Sequence, residues 1–163
     1  MKSIKILHYL KMYLTSLCYK LIYGKKLQIG KNVAWRKSLS IMIDTDASVI
    51  IGNDCFFNNY CSINANKCIE IGQGTIFGEN VKIYDHNHRF TDRQLPLKKQ
   101  GFSTEPVHIG KNCWIGSNVV ILKGTTIGDN CIIGAGTVLS GNIGDGKIVT
   151  QRRELEYRDI IFK

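Results

Sequence analysis

The sequence has few of the features that mark disordered, zinc-binding or secreted proteins. It contains only two prolines in 163 residues, so its sixteen glycines do not indicate a disordered chain. Its six cysteines form no CxxC pair and no zinc spacing, and we expect no metal. A disulfide framework is possible by count. The repeat described below places four cysteines in packing positions, however, and therefore favours free thiols and a reducing cytoplasm.

The first 23 residues contain no run long enough to cross a membrane and no signal-peptide cleavage site. Their apolar residues recur with a helical period, and Lys11 interrupts them, whereas a transmembrane helix needs about 20 predominantly apolar residues. Two interpretations of segment 1–26 stay open. It is a helix packed on the main domain, or a basic amphipathic helix through which residues 1–23 make a peripheral contact with an anionic membrane.

The net charge of +9 implies an anionic partner, and the length suits a single domain. A membrane face, a phosphorylated cofactor, an anionic glycan or nucleic acid would each provide negative charge. Aromatic and basic residues do not interleave along the chain. We therefore do not expect a nucleic-acid-binding protein.

An eighteen-residue repeat decides the fold class. Five Ile-Gly pairs begin the copies, and the residues six and twelve positions after each isoleucine are large and apolar. The positions four and ten residues on are mostly small or β-branched. The five isoleucines are Ile29, Ile51, Ile71, Ile109 and Ile127, and the cysteines in the small positions are Cys55, Cys61, Cys113 and Cys131.

Such a strict six-residue period excludes an α-helix, because six residues advance a helix by about 600° and the apolar positions drift off one face. A triangular β-solenoid fits the period, with three short strands in each coil and coils stacked at roughly 4.8 Å. Glycine at a corner would allow unusual backbone angles. The sequence predicts a domain at 27–149 with five coils, at 29–46, 51–68, 71–88, 109–126 and 127–144.

The pattern is broken at the stretch from Tyr84 to Phe90, in which a histidine pair precedes a protruding loop at 89–108. Counting along the coil without gaps makes His88 its last residue, at a corner that faces outward. A neutral imidazole in that position suits base catalysis near neutral pH. His86 is the second candidate.

Several motifs around this break carry a resemblance to a known family. They are Asp85-His86-Asn87-His88, Gln100-Gly101-Phe102, Val107-His108-Ile109-Gly110, Trp114-Ile115-Gly116-Ser117, Ile121-Leu122-Lys123-Gly124 and Ile133-Gly134-Ala135-Gly136. Residues 50–145 resemble the hexapeptide-repeat acetyltransferases of the galactoside, maltose, nodulation-factor and xenobiotic branch. The stretch from Tyr84 to Gly128 is most similar to enzymes that O-acetylate bacterial surface polysaccharides. The resemblance implies an all-β, left-handed parallel β-helix.

The same resemblance implies an acetyl-CoA-dependent O-acetyltransferase that acts on a sugar hydroxyl of a capsular, O-antigen or exopolysaccharide unit. It implies a homotrimer with active sites between subunits and a histidine general base. N-acetylation of an amino-sugar or a xenobiotic is the alternative enzyme activity, and a non-catalytic β-solenoid scaffold is the alternative outside catalysis. The sequence cannot separate the two acetylation reactions.

Roles for individual residues also follow from the resemblance. His88 is the expected base, with His86 as second choice. The acceptor sugar would contact Asn58 and Asn66, and more loosely Tyr84 and Asp85. Apart from the resemblance, Asp85 could orient an imidazole or could be a solvated corner residue. Acetyl-CoA would contact Trp114, Ser117 and Ala135. Their positive charge, and not the resemblance, makes Lys123 and Arg152 candidates for binding its phosphates. The basic tail at 150–163 lacks the Gly-x-Pro loop that such enzymes usually close over CoA.

Overall fold

The computed structural model describes residues 2–152, with side chains described for residue 7 and from residue 9 onward. Most of the predicted basic tail at 150–163 therefore lies outside the described residues. The described chain is one N-terminal helix, α1 (Lys2–Tyr23), followed by short strands that wind into a parallel β-helix. A 3-10 turn at Gly24–Lys26 joins the two parts. The predicted β-solenoid is confirmed.

Three parallel sheets form the walls of the solenoid. The first sheet contains β1 (Leu27–Ile29), β4 (Ser48–Ile51), β7 (Cys68–Ile71), β12 (Val107–Ile109), β15 (Thr126–Ile127) and β18 (Asn142–Ile143). The second contains β2 (Ala34–Trp35), β5 (Phe56–Phe57), β8 (Ile76–Phe77), β13 (Trp114–Ile115), β16 (Ile132–Ile133) and β19 (Ile148–Val149). The third contains β3 (Ser40–Ile43), β6 (Ser62–Ala65), β9 (Lys82–Tyr84), β14 (Val120–Ile121) and β17 (Val138–Leu139).

The strand registers place the repeated isoleucines in one column. Ile51 pairs with Ile29 on one side and with Ile71 on the other, and Ile109 pairs with Ile71 and Ile127. The column continues to Ile143 in an incomplete sixth coil, which the repeat count did not include. Because successive side chains of a strand alternate between faces, each column points into the prism and forms a continuous core.

The four cysteines in the small positions are buried free thiols, as the repeat predicts. Cys55, Cys61, Cys113 and Cys131 are each at most 2% exposed. Burial raises the pKa of the Cys55, Cys61 and Cys113 thiols, because the charged thiolate is disfavoured away from water. Their role is packing, since reactive cysteines have accessible thiols with lowered pKa values.

Close stacking, and not an unusual backbone angle, is the reason for glycine in each Ile-Gly pair. Gly72 and Gly110 do not have left-handed backbone angles. A Cβ on Gly72 would lie 2.5 Å from the backbone carbon of Gly110, so the stacked corners leave no room for a side chain. Left-handed residues do occur at the corners, but they are other positions such as Asn118 (φ 59°) and Gly136 (φ 73°).

Helix α1 covers the open end of the solenoid. The Tyr19 hydroxyl donates to the Leu39 carbonyl at 2.8 Å, and the Tyr23 hydroxyl donates to the Ile41 carbonyl at 3.0 Å. Met12 packs beside them against the first coil. These contacts satisfy the edge of β3 that has no neighbouring strand, as a sheet edge requires. Through these contacts α1 packs on the first coil, which is one of the two arrangements that the sequence leaves open. No described helix is both long and apolar enough to cross a membrane.

The interruption of the coils is a β-hairpin. Strand β10 (His86–His88) pairs antiparallel with β11 (Phe102–Thr104), and a 3-10 turn at Leu97–Lys99 lies in the loop between them. The predicted loop at 89–108 therefore has different limits. The chain leaves the third coil after Asp85, and Val107 is already a fully buried residue of the fourth coil.

Candidate active site

Asp85 is a fully buried carboxylate at the point where the hairpin begins. Since Tyr84 pairs with Asn64, Asp85 comes beneath the inward-facing Ala65. Its two carboxylate oxygens accept hydrogen bonds from the backbone N–H groups of Asn66 (2.8 Å) and Lys67 (2.7 Å). Asp85 is therefore a buried, hydrogen-bonded acceptor and not a solvated corner residue.

His86 is the histidine that this carboxylate orients. Its Nδ1 lies 3.1 Å from Oδ1 of Asp85, and its side chain is 17% exposed. In the imidazole tautomer that carries its proton on Nδ1, this nitrogen donates a hydrogen bond to the carboxylate. The same tautomer leaves Nε2 as the acceptor on the far side of the ring. A histidine held in this way by a buried carboxyl group is chemically able to accept a proton through Nε2.

His88 stands two residues further out on the hairpin. Its side chain is exposed, and its ring packs on Phe102 with centroids 4.5 Å apart. The gap-free count that made His88 the corner residue of the third coil is wrong, because the chain has already turned into the hairpin at His86. Phe102 also contacts His86 edge-on, with centroids 5.0 Å apart, and so packs against both imidazoles.

A shallow groove of about 350 Å³ opens beside His86. Asn66, a predicted sugar contact, lies on its wall together with the exposed Met42. The groove also contains polar groups from the two coils above the histidine. Its remaining wall residues are Tyr23, Ile43, Asp44, Asn64, Ala65 and Phe102. A groove that joins amide side chains to aromatic and apolar surface suits a sugar ring, which has hydroxyls at its edge and apolar faces.

The other predicted contacts lie elsewhere on the prism. Trp114 is 54% exposed on the outside of the second sheet. Ser117 and Ala135 stand at the corner between the second and third sheets, where the Ser117 hydroxyl accepts a hydrogen bond from the Glu79 N–H (3.1 Å). Asn58 stands at the same corner of the second coil. One chain therefore presents the histidine groove and the Trp114–Ser117 surface at different places.

The two predicted phosphate ligands differ in their surroundings. Lys123 forms an ion pair with Glu105, and its hydrogen bond lowers the pKa of that carboxyl. Arg152 is exposed just after the last strand.

Among residues 2–152, no group of three or more potential ligands could hold a metal ion.

The outer face of the second sheet is apolar in every coil. Its outward residues pair in one ladder: Ala34, Phe56, Ile76, Trp114, Ile132 and Ile148. The first sheet instead presents mostly polar residues in its outward ladder: Gln28, Ile50, Glu70, His108, Thr126 and Asn142. A continuous apolar strip on the outside of a protein marks a surface that another molecule covers.

Sequence reasoning missed Phe102, Met42 and Asn64 as site residues. Gln100-Gly101-Phe102 is one of the motifs that carry the resemblance, but nothing in the motif predicts that its phenylalanine contacts two histidines. That contact arises from the antiparallel pairing of His86 with Thr104 and of His88 with Phe102. Alternation of side chains with a period of two residues across 86–88 and 102–104 would indicate a β-hairpin, but three residues in each strand are too few to show that alternation.

Comparison with known proteins agrees with this fold. A model of the family described as bacterial transferase hexapeptide (six repeats) matches residues 106–141. The maltose O-acetyltransferase of Clostridium difficile 630 superposes with a TM-score of 0.66 at 33% identity, over 79% of this chain and 67% of that one. A galactoside acetyltransferase in complex with coenzyme A superposes with the same TM-score at 29% identity, over 79% and 63% of the two chains.

Curated sequences give the same assignment over shorter stretches. A protein of Escherichia coli (strain K12), assigned to lipopolysaccharide biosynthesis as the O-acetyl transferase WbbJ, is 30% identical over 99 residues, which are 56% of this chain and 50% of that protein. The chain spans between 31% and 50% of the length of the first curated relatives it matches. The β-helix, its repeats and these similarities show that the chain belongs to the hexapeptide-repeat acetyltransferase family.

Proposed function

We propose that this protein transfers an acetyl group from acetyl-CoA to a sugar hydroxyl, with His86 as the general base. The observation that carries the proposal is the Asp85–His86 pair at the edge of a groove that suits a sugar. The 33% identity to a maltose O-acetyltransferase supports this acceptor class. His88, the base expected from the repeat count, has no comparable carboxylate partner among the contacts described for it.

In the proposed reaction, the acceptor hydroxyl donates a hydrogen bond to Nε2 of His86. The imidazole takes the proton as the oxygen attacks the acetyl carbonyl. Asp85 keeps the ring in the required tautomer and stabilises the imidazolium that forms. His86 then returns the proton to the departing sulfur, so the protein is unchanged at the end. A positioned base of this kind contributes about 10²–10⁴-fold to the rate.

The outer face of the second sheet is the proposed surface for acetyl-CoA, which would supply the activated acetyl group. Trp114 offers an exposed apolar side chain to the pantetheine arm, and Ala135 lies one coil further on. Ser117 would donate to the oxygen on which negative charge develops. Arg152 is the better candidate for the CoA phosphates, because Lys123 is already paired with Glu105.

We propose that the active unit is a homotrimer. His86 and Ser117 stand at different corners of one prism, so a site that uses both requires a neighbouring chain. The apolar ladder from Ala34 to Ile148 is a surface that a neighbour would cover. Three chains packed side by side would bring the histidine corner of one against the second sheet of the next.

The proposed acceptor class is a surface-polysaccharide unit, capsular, O-antigen or exopolysaccharide. The E. coli relative assigned to lipopolysaccharide biosynthesis supports this choice.

All six cysteines are free thiols in the structure, which supports a location in the reducing cytoplasm.

The test is an acetyl-transfer assay with the purified chain of 163 residues. Release of the CoA thiol is followed with a panel of oligosaccharides and amino-sugars, and products are examined by mass spectrometry and NMR. The proposal predicts thiol release that depends on a sugar acceptor and an ester that alkaline hydroxylamine removes. An acetamide product would establish N-acetylation instead. No release with any acceptor, despite binding of CoA, would contradict the proposal.

A further inference from the structure

The capped end of the solenoid carries the whole net charge of the protein. The first 43 residues contain nine lysines and arginines and no aspartate or glutamate, whereas the rest of the chain is neutral. These residues comprise α1 and almost all of the first coil. A charge imbalance confined to one end of a rigid prism creates a local positive potential, and it favours an anionic partner at that end.

The outward face of α1 is apolar. Its inner face holds Met12, Tyr19 and Tyr23 against the first coil. On the opposite side, five leucines at alternating spacings of three and four residues form one stripe, and each is between 45% and 77% exposed. The stripe consists of Leu7, Leu10, Leu14, Leu17 and Leu21. Because the inner face is fixed on the coil, the leucine stripe points away from the stack of coils.

A basic groove runs beside this stripe. Lys11 of α1 faces Arg36 and Lys37, at the corner between β2 and β3, across a cavity of about 410 Å³. The floor is apolar, with Trp35 and Leu39 from the first coil. Three cationic side chains over apolar surface match the chemistry of a lipid phosphate attached to its first methylenes.

We propose that this end of the protein, the leucine stripe together with the Lys11–Arg36–Lys37 groove, binds the surface of an anionic phospholipid membrane. The leucines enter the boundary between headgroups and acyl chains, and the groove holds headgroup phosphates. The helix lies on the membrane, in keeping with the observation that no described helix is long and apolar enough to cross it. The proposal does not depend on the acetyl-transfer reaction.

The positive charges beside the leucine stripe favour an anionic membrane, and not a second copy of the chain, as its partner. Leucines spaced by three and four residues also occur in helix pairs, in which acidic and basic flanking residues commonly alternate. Here the flanking charges are all positive, so two such helices would repel each other, whereas an anionic lipid surface attracts them. The first coil does have Asp44 and Asp46, at the corner where the His86 groove opens, so the attraction favours the other side of the prism.

The experiment is co-sedimentation of the purified 163-residue chain with vesicles, without acetyl-CoA or acceptor. Vesicles of phosphatidylcholine alone are compared with vesicles that also contain phosphatidylglycerol. We expect binding to the anionic vesicles, little binding to the neutral ones, and weaker binding as salt screens the charges. Equal binding to both compositions, or no binding to the anionic vesicles, would overturn the proposal.

Two sets of variants test the two parts of the surface. Lys11→Gln, Arg36→Gln and Lys37→Gln together should weaken partitioning by about five-fold for each charge removed. The matched control removes three charges elsewhere, at Arg93, Lys111 and Lys147, and should leave partitioning close to wild type. An equal loss in the control would show that net charge alone drives binding and would overturn the assigned groove.

The leucine variants address insertion and self-association. Leu10→Ser, Leu14→Ser and Leu17→Ser together should abolish co-sedimentation, with Leu95→Ser and Leu97→Ser in the hairpin loop as control. Analytical ultracentrifugation without vesicles should give the same mass for wild type and variant. A lower mass for the variant, together with no vesicle binding by the wild type, would identify a second copy as the partner and reject the membrane.

Discussion

The coils and the hairpin that interrupts them differ in strand direction and in how far their side chains are buried. In the coils, each strand repeats its neighbour, and the inward columns are mostly isoleucine, valine, phenylalanine or cysteine with almost no exposure. In the hairpin at 86–104, the strands are antiparallel and the side chains are half-buried or exposed. The difference shows that the repeat builds a rigid wall, and our proposal assigns the chemistry to the place where the chain departs from that repeat.

The largest effect on stability is expected from the coil side of this comparison. Phe57 is fully buried and stacks on Phe77 with centroids 4.5 Å apart. Phe57→Ala should lower the free energy of unfolding by about 3–5 kcal/mol, because it leaves a cavity between two coils. Denaturant unfolding measures this change. Phe90→Ala, a control at an exposed hairpin position, should have almost no effect, and equal losses would contradict the division of roles.

Asp85 belongs to both regions, since it occupies an inward position and also orients His86. Asp85→Asn should cost about 1–3 kcal/mol of stability, because an amide cannot accept all the hydrogen bonds that the carboxylate accepts. It should also reduce kcat more than it changes the KM for the acceptor. Asp92→Asn in the hairpin loop serves as the control. Unchanged kcat in Asp85→Asn would contradict the orienting role.

A substitution of Phe102 tests whether the hairpin contributes to binding of the acceptor. Phe102→Ala removes a ring that contacts both histidines, and such aromatic contacts are worth about 0.5–1.5 kcal/mol each. We expect a higher KM for the acceptor and a smaller change in the midpoint of unfolding than Phe57→Ala produces. Phe102→Leu should recover part of the affinity. A variant that binds the acceptor like wild type would remove Phe102 from the site.

The smallest effect is expected at Lys123. Its ion pair with Glu105 lies at the surface, where water and salt screen the attraction between the two charges. Lys123→Met should therefore barely change the denaturant midpoint, and it should leave the KM for acetyl-CoA close to wild type, as should the control Lys111→Met. A large rise in that KM for Lys123→Met alone would instead identify Lys123 as a ligand of the CoA phosphates.

The sequence predicts the coils well because their physical cause is periodic. A column from Ile29 to Ile127 is visible as spacing, and the structure reproduces it as strand register. The candidate site is less predictable, because Asp85 looks like a corner residue until its partners at Asn66 and Lys67 are known. The choice of His88 over His86 depended on extending the period through residues that no longer follow it.

The central claim is that His86 is the general base, and its most direct test compares two variants in one assay. His86→Ala and His88→Ala are purified, checked for wild-type unfolding, and measured for kcat with acetyl-CoA and the best acceptor. The account predicts a loss of about 10²–10⁴-fold for His86→Ala and only a minor loss for His88→Ala. Near-normal turnover by His86→Ala, with activity lost in His88→Ala, would contradict it.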